Sequence, residues 1–194
     1  MGKHSDFPRR KFDQYFTWDT RAGQAIAPFL EGIETYCEPC AGRGDLIGQL
    51  DALGLECLAA YDLDPKRRGI IKKNAFRLTR EDLQGAQVIF TNPPWTRRLL
   101  HALILHLCQL APTWLLFDSD WLFSLQSQRF MQYCTDVVPI GKMRWVEGTP
   151  DDEKGNSAWF KFDVQNQKPT IFHSRRKFVY GLDLKDYIAE PLLL

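Results

Sequence analysis

Apolar and polar positions follow two periods along this chain, and the switches between them outline a repeated strand–helix order. "DTRAGQAIAPFL" (19–30) spaces its apolar positions for an amphipathic helix opened by a capping Asp19 or Thr20. "TYCEPC" (35–40) reads as a short strand, and "GDLIGQLDALG" (44–54) as a helix closed by Gly54. "ECLAAYDLD" (56–64) is a strand, and "PKRRGIIKKN" (65–74) is expected to be a helix with Pro65 in its first turn. "AQVIFTN" (86–92) and "TWLLFDSD" (113–120) are strands around the most periodic helix, "TRRLLHALILHLCQLA" (96–111), which stops before Pro112. "SLQSQRFMQYC" (124–134) continues the pattern as a helix. Then the order changes: "DVVPIGKMRWV" (136–146) and "SAWFKFDV" (157–164) are successive strand-like runs around the polar loop "EGTPDDEKGN" (147–156).

Repeated strand–helix units predict a parallel sheet covered on both faces, and the closing pair adds an antiparallel edge. Ligands of such doubly wound α/β sheets bind beyond the carboxyl ends of the strands. There is no internal repeat and no long linker, so residues 1–194 are expected to form one domain, with 165–194 as an irregular C-terminal extension. Hydrophobic residues make up 44% and charged residues 25%, as in an ordinary globular protein, and a net charge of +1 does not by itself announce a nucleic-acid binder. No apolar run reaches membrane-spanning length, because His101 and His106 interrupt the best one. "MGKHSDFPRRKFDQYF" has no signal-peptide core, and five cysteines without framework spacing fit a reducing compartment. The expectation is a cytoplasmic protein with no membrane partner, and a monomer.

The chemistry gathers at strand ends. In "EPCAGRGDLIG" the small residues and Gly42 and Gly44 permit a tight turn and close backbone approach to a ligand. Eighteen positions past Gly44 (62 − 44), Asp62 ends the second long strand, where an acid is placed to accept ribose hydroxyl hydrogen bonds. This pair points to an adenosine-type ligand without separating a nicotinamide cofactor from S-adenosylmethionine. Glu38 helps to separate them: a carboxylate inside the turn repels a pyrophosphate and attracts an ammonium. "CEPC" (37–40) also permits a redox or metal reading, but the acid beside the thiols would raise their pKa, and Cys57, Cys108 and Cys134 are scattered.

"NPPW" (92–95) ends a strand with two residues that cannot donate to a ladder. The Asn92 side-chain oxygen and the Pro93 carbonyl can accept both hydrogens of an exocyclic amine and draw its nitrogen toward tetrahedral geometry. Trp95 can stack on a base flipped into the site. A plain proline-terminated strand with a packed tryptophan is the competing structural reading.

Together and in this order, "EPCAGRGDL", "YDLDP" and "TNPPW" resemble class I S-adenosylmethionine-dependent amino-methyltransferases acting on DNA. Upstream, "DQYFTWDTRAGQAI" resembles that family's N-terminal cofactor motif. Downstream, "RWVEGT" and "GNSAWFKFD" look like the final hairpin of its small phage and prophage members. The likeness covers about residues 12–164. It implies a mostly parallel seven-stranded Rossmann-like sheet with an antiparallel closing strand, and S-adenosylmethionine as cofactor. It places Glu38, Ala41, Gly42 and Gly44 along methionine and ribose, Asp62 on the ribose, and Leu63 against adenine. Tyr15 and Thr17 fall at the methionine end, and Asn92, Pro93, Pro94 and Trp95 form the catalytic tetrapeptide. The acid that often meets the adenine amine is replaced by Asn74. An amide or acid at the first tetrapeptide position accompanies mainly N6-adenine methylation in the family.

Arg97 and Arg98 follow the tetrapeptide and are candidates to hold phosphates beside a flipped base. "RRK" (175–177) and the basic residues of 66–73 are further candidates, although charge runs usually form solvated faces. No block is large enough for a separate sequence-reading domain. DNA is the expected partner, with RNA adenine, a protein glutamine amide, or a non-catalytic cofactor-binding phage regulator as alternatives.

Overall fold

The computed structural model of the protein describes residues 15–148, 155–166 and 168–175. Most of the polar loop 147–156, Arg176 and Lys177 of the second basic stretch, and the last part of the C-terminal extension lie outside the described residues. Among the described residues eight strands form one sheet: β1 (Thr35–Glu38), β2 (Glu56–Asp62), β3 (Ile71–Lys72), β4 (Val88–Thr91), β5 (Thr113–Asp118), β6 (Cys134–Gly141), β7 (Ser157–Phe162) and β8 (Ile171–Phe172). Their spatial order is β3-β2-β1-β4-β5-β7-β6-β8, and only β7 runs antiparallel to its neighbours.

Alternation along the central strands decides what lies on each face. Val88 and Phe90 of β4, with Trp114 and Leu116 of β5, face one way, where they meet Ala22, Ala25 and Ile26 of α1 (Arg21–Ile26) and Leu46 and Leu50 of α2 (Asp45–Ala52). Ile89, Leu115 and Phe117 face the other way and pack on Leu100, Leu103, Ile104 and Leu107 of α3 (Arg97–Leu107). The two apolar layers are what the near-continuous apolar runs of β4 and β5 require, since a strand covered on both sides has no solvent face. Trp159 of β7 is fully buried and its indole N–H donates to the Ala22 carbonyl at 2.9 Å, so the closing hairpin is pinned to α1.

Three expectations are corrected. Residues 65–74 do not form a helix. Gly69 takes φ +95°, which breaks a right-handed turn, and Ile71–Lys72 pairs beside β2 as β3. The adjacent Ile70 and Ile71 never offered a stripe at helical spacing, and the charges around them had nothing apolar to cover. Residues 125–133 are helical but of the tighter 3₁₀ kind. Among the described residues the sheet has eight strands rather than seven, because Ile171–Phe172 adds beside β6, and β8 rather than the antiparallel pair is the edge. Two residues are too few to show alternation, so that strand is silent in the sequence. No helix among the described residues is long and apolar enough to cross a membrane.

Candidate functional site at the carboxyl edge of the sheet

Neighbouring parallel strands lie about 4.8 Å apart. The central pair β1 and β4 therefore brings Glu38 and Asn92, which end or follow them, to one edge. After β1 the chain turns through Ala41, Gly42 and Gly44 into α2. Both glycines have positive φ, +55° and +83°, a region that other residues enter at a cost. A methyl group on Gly42 would also stand 2.9 Å from the Phe16 ring, which covers the turn.

Asp62 holds this turn. One carboxylate oxygen accepts from the Gly42 amide at 2.8 Å and the other from the Asp64 amide at 2.7 Å. The side chain is 8% exposed, so the acid expected to meet a ribose is also the brace of the loop that would receive it. Each oxygen keeps lone-pair capacity for a hydroxyl donor. Asp62→Ala is expected to weaken S-adenosylmethionine binding by roughly 1.5–3 kcal/mol, as for a hydrogen bond to a charged group. Titration calorimetry of the variant against the wild type measures this. Leu63 is half exposed beside it. Asn74 caps a short 3₁₀ turn, accepting from the Phe76 amide at 3.0 Å, so its amide oxygen already has one donor.

Glu38 is the unusual group. It is 2% exposed, and its Oε2 has no hydrogen-bond partner among the described residues. Burial first, and then the nearby Asp62, Asp45 and Asp51, push its carboxyl well above the ordinary glutamate range. A buried acceptor without a donor costs stability, and a cation would relieve it.

Asn92 is fixed from both sides. Its Nδ2 donates to the Tyr15 carbonyl at 3.0 Å and to the Thr17 hydroxyl at 3.1 Å, while its Oδ1 accepts from the Trp95 indole N–H at 2.9 Å. The sequence-predicted cofactor segment and the tetrapeptide are thus brought into contact. Pro93 is buried, and Pro94 and Trp95 are partly buried. Trp95 meets Trp145 edge to face, with centroids 5.1 Å apart at 86°. Arg97 does not stand free: it pairs with Asp118 at 2.6 Å and fixes the start of α3 to the end of β5. Arg98 is exposed.

Several residues that are not among the predicted site residues support the site. Gln49 of α2 donates to the Thr17 carbonyl at 2.5 Å and accepts from the Gly23 amide at 2.9 Å, stapling the entry segment to the glycine-turn helix. Asp19 and Arg21 form a buried pair at 2.5 Å. Asp19 also accepts from the Arg144 amide at 2.8 Å, and Arg21 donates to the Lys142 carbonyl at 2.5 Å. A buried charged pair two residues apart could have been suspected from the helix start "DTR", but its partners beyond β6 could not. Burial drives the Cys37 thiol above its usual range, and burial followed by Asp62 pushes Cys40 up to about 12. Neither is poised as a thiolate, which weighs against redox chemistry at "CEPC". Among the described residues no three His, Cys, Asp or Glu side chains are grouped to hold a metal ion.

No protein-family model matches the chain, and no curated protein matches it significantly. Solved structures do. A candidate RNA methyltransferase from Pyrococcus horikoshii superposes with TM-score 0.56 at 14% identity, over 83% of this chain and 91% of that one. A candidate class I S-adenosylmethionine-dependent methyltransferase from Listeria monocytogenes gives TM-score 0.56 at 9% identity, over 80% of this chain and 64% of the other. At such identities the likeness is one of fold: the chain shares the Rossmann-like sheet of these two structures.

Proposed function

We propose that this chain is an S-adenosylmethionine-dependent methyltransferase acting on an exocyclic amine, with adenine N6 of DNA as the acceptor. The observation that carries the reading is the buried Glu38 oxygen, without a hydrogen-bond partner among the described residues, on the same sheet edge as the Asn92 amide. One is an anionic socket for an ammonium, and the other an acceptor for an amine N–H. The glycine turn and Asp62, on the β2 side of Glu38, together suit a ribose. The residues present fit the cofactor.

Held by Glu38, the glycine turn and Asp62, S-adenosylmethionine would supply a methyl group on positive sulfur, and the sulfur would leave with the bonding electron pair as the acceptor nitrogen's lone pair formed the new N–C bond. Asn92 Oδ1 and the Pro93 carbonyl accept the two amine hydrogens. This pulls the nitrogen out of conjugation with the ring and turns its lone pair toward the methyl group. The surplus proton on nitrogen is then shed to water, since neither an amide nor a peptide carbonyl is basic enough to keep it.

DNA is favoured over other acceptors by the resemblance of the strand-end motifs. RNA adenine is the second reading, favoured by the fold likeness to the Pyrococcus horikoshii protein named as a candidate RNA methyltransferase. Transfer of tritium from labelled S-adenosylmethionine to DNA, RNA or protein decides among them. Labelled DNA bears the proposal out, labelled RNA alone moves the acceptor, and no labelled acceptor together with no cofactor binding ends it.

With Arg97 engaged by Asp118, Arg98 is the better candidate for a phosphate contact. Arg98→Ala is expected to weaken binding of all DNA sequences about equally and to lower the slope of log K against log salt by about 1. Fluorescence anisotropy over a salt series measures both.

A further inference from the structure

We infer that Trp95 acts through its indole N–H as the positioning residue of the Asn92 amide, beyond any role as a stacking surface. The inference rests on the reading of Asn92 as the acceptor-amine contact.

A side-chain amide has two flip states that differ only in where the donor and acceptor ends point. Here the partners are one-way. The Tyr15 carbonyl 3.0 Å from Asn92 can only accept, so the amide nitrogen must face it. The Trp95 Nε1–H 2.9 Å away can only donate, so the amide oxygen must face it. Thr17 Oγ1 at 3.1 Å adds to the nitrogen side. Without the indole donor, one of the two constraints on the flip disappears. Water or substrate can then meet an amide whose nitrogen points the wrong way, and an N–H of the acceptor would find a donor in place of an acceptor.

The indole is itself placed. Asn92 and Trp95 lie three positions apart across two prolines, whose fixed φ limits the loop to few shapes. The edge-to-face contact with Trp145, which is 6% exposed, holds the ring against rotation. In this arrangement one lone pair of Oδ1 is used by Trp95 and the second remains for the amine. A phenylalanine at this position keeps an aromatic face and loses the donor, so Trp95→Phe separates the two roles.

The test uses the full chain, tritiated S-adenosylmethionine and an adenine-containing DNA duplex. For Trp95→Phe, kcat is expected to fall about tenfold, as for one lost hydrogen bond, with KM for DNA changed by less than about twofold and cofactor affinity unchanged. Trp95→Ala should lose a similar factor in kcat and raise KM in addition. If Trp95→Phe keeps kcat near that of the wild type, stacking alone is the role and the inference is overturned. A second measurement does not depend on activity. Of the six tryptophan indole signals in a nitrogen–proton correlation spectrum, the one missing in Trp95→Phe belongs to Trp95. Asn92→Ala should move that signal and speed its hydrogen exchange, and an unmoved signal overturns the inference even if no acceptor has been found. A wild type that methylates nothing while the indole signal does respond counts against the proposed function and leaves the positioning bond established.

Discussion

Asn92→Ala is expected to lower methyl transfer by roughly 100- to 1000-fold, the usual cost of removing a preorganised group that acts on the reacting centre, while S-adenosylmethionine affinity stays within a few-fold. The reason lies in what Asn92 touches. Its contacts run to Tyr15, Thr17 and Trp95, and none of its hydrogen bonds goes to the glycine turn or to Asp62. Deleting it therefore removes the proposed acceptor-amine contact and loosens the entry segment only at Tyr15 and Thr17. Rapid-quench measurement of the first turnover, beside calorimetric titration of the cofactor, separates the two effects. A variant with near-normal turnover would remove Asn92 from the chemistry, whereas one that loses cofactor binding first would make it a structural bridge.

Glu38→Gln should move stability and affinity in opposite directions. The Glu38 carboxyl is pushed well above the ordinary glutamate range by burial and by the Asp62, Asp45 and Asp51 charges. A folded carboxyl so raised holds a proton that the unfolded chain has released. Its contribution to stability is intact below the unfolded value and is lost as pH rises through the folded value. Glutamine stays neutral throughout, so the melting-temperature gain of the variant over the wild type should grow with pH across that window. The cofactor's ammonium, however, needs the charge. The variant is expected to bind S-adenosylmethionine roughly 100-fold more weakly, in the range found when one partner of a buried ion pair is removed. Wild-type affinity should itself rise with pH as Glu38 gives up its proton to make room for the cation, and the variant's should be flat in that range. Melting curves and titrations at a series of pH values test both, and equal pH slopes in the two proteins would exclude Glu38 as the ammonium site.

The parts of this molecule that the sequence disclosed are those where a local pattern and the tertiary demand coincide. The continuous apolar runs of β4 and β5, the periodic apolar face of α3 and the positive-φ glycines before α2 each have one sensible structure, and the protein adopts it. The doubly wound sheet followed from their order. In 65–74 Pro65 suits a first helical turn, but no apolar stripe supports a helix there, and Gly69 at positive φ excludes it. Among site residues, those carried by compact motifs lie at the expected edge, but their engagements were not legible. Arg97 turns to Asp118, and Asp62 braces the backbone of the turn. Gln49 belongs to no motif, and "RWVEGT" gives Trp145 no site role, since a residue that matters only by touching another far along the chain leaves no local trace.

The buried Asp19–Arg21 pair has a consequence for the order in which the protein comes into being. Its outer partners, the Lys142 carbonyl and the Arg144 amide, lie 121 and 125 positions downstream. A nascent chain can form the glycine turn and the first strands early, but the segment carrying Tyr15 and Thr17 has no anchor for this charged pair until the end of β6 has left the ribosome. Long-range closure of this kind is late in folding. Gln49 can hold the Thr17 carbonyl once α2 has formed, but the charged pair that follows is closed only by one of the last events of synthesis, and a ribosome-bound chain arrested before residue 142 would carry the whole tetrapeptide with this pair unfinished.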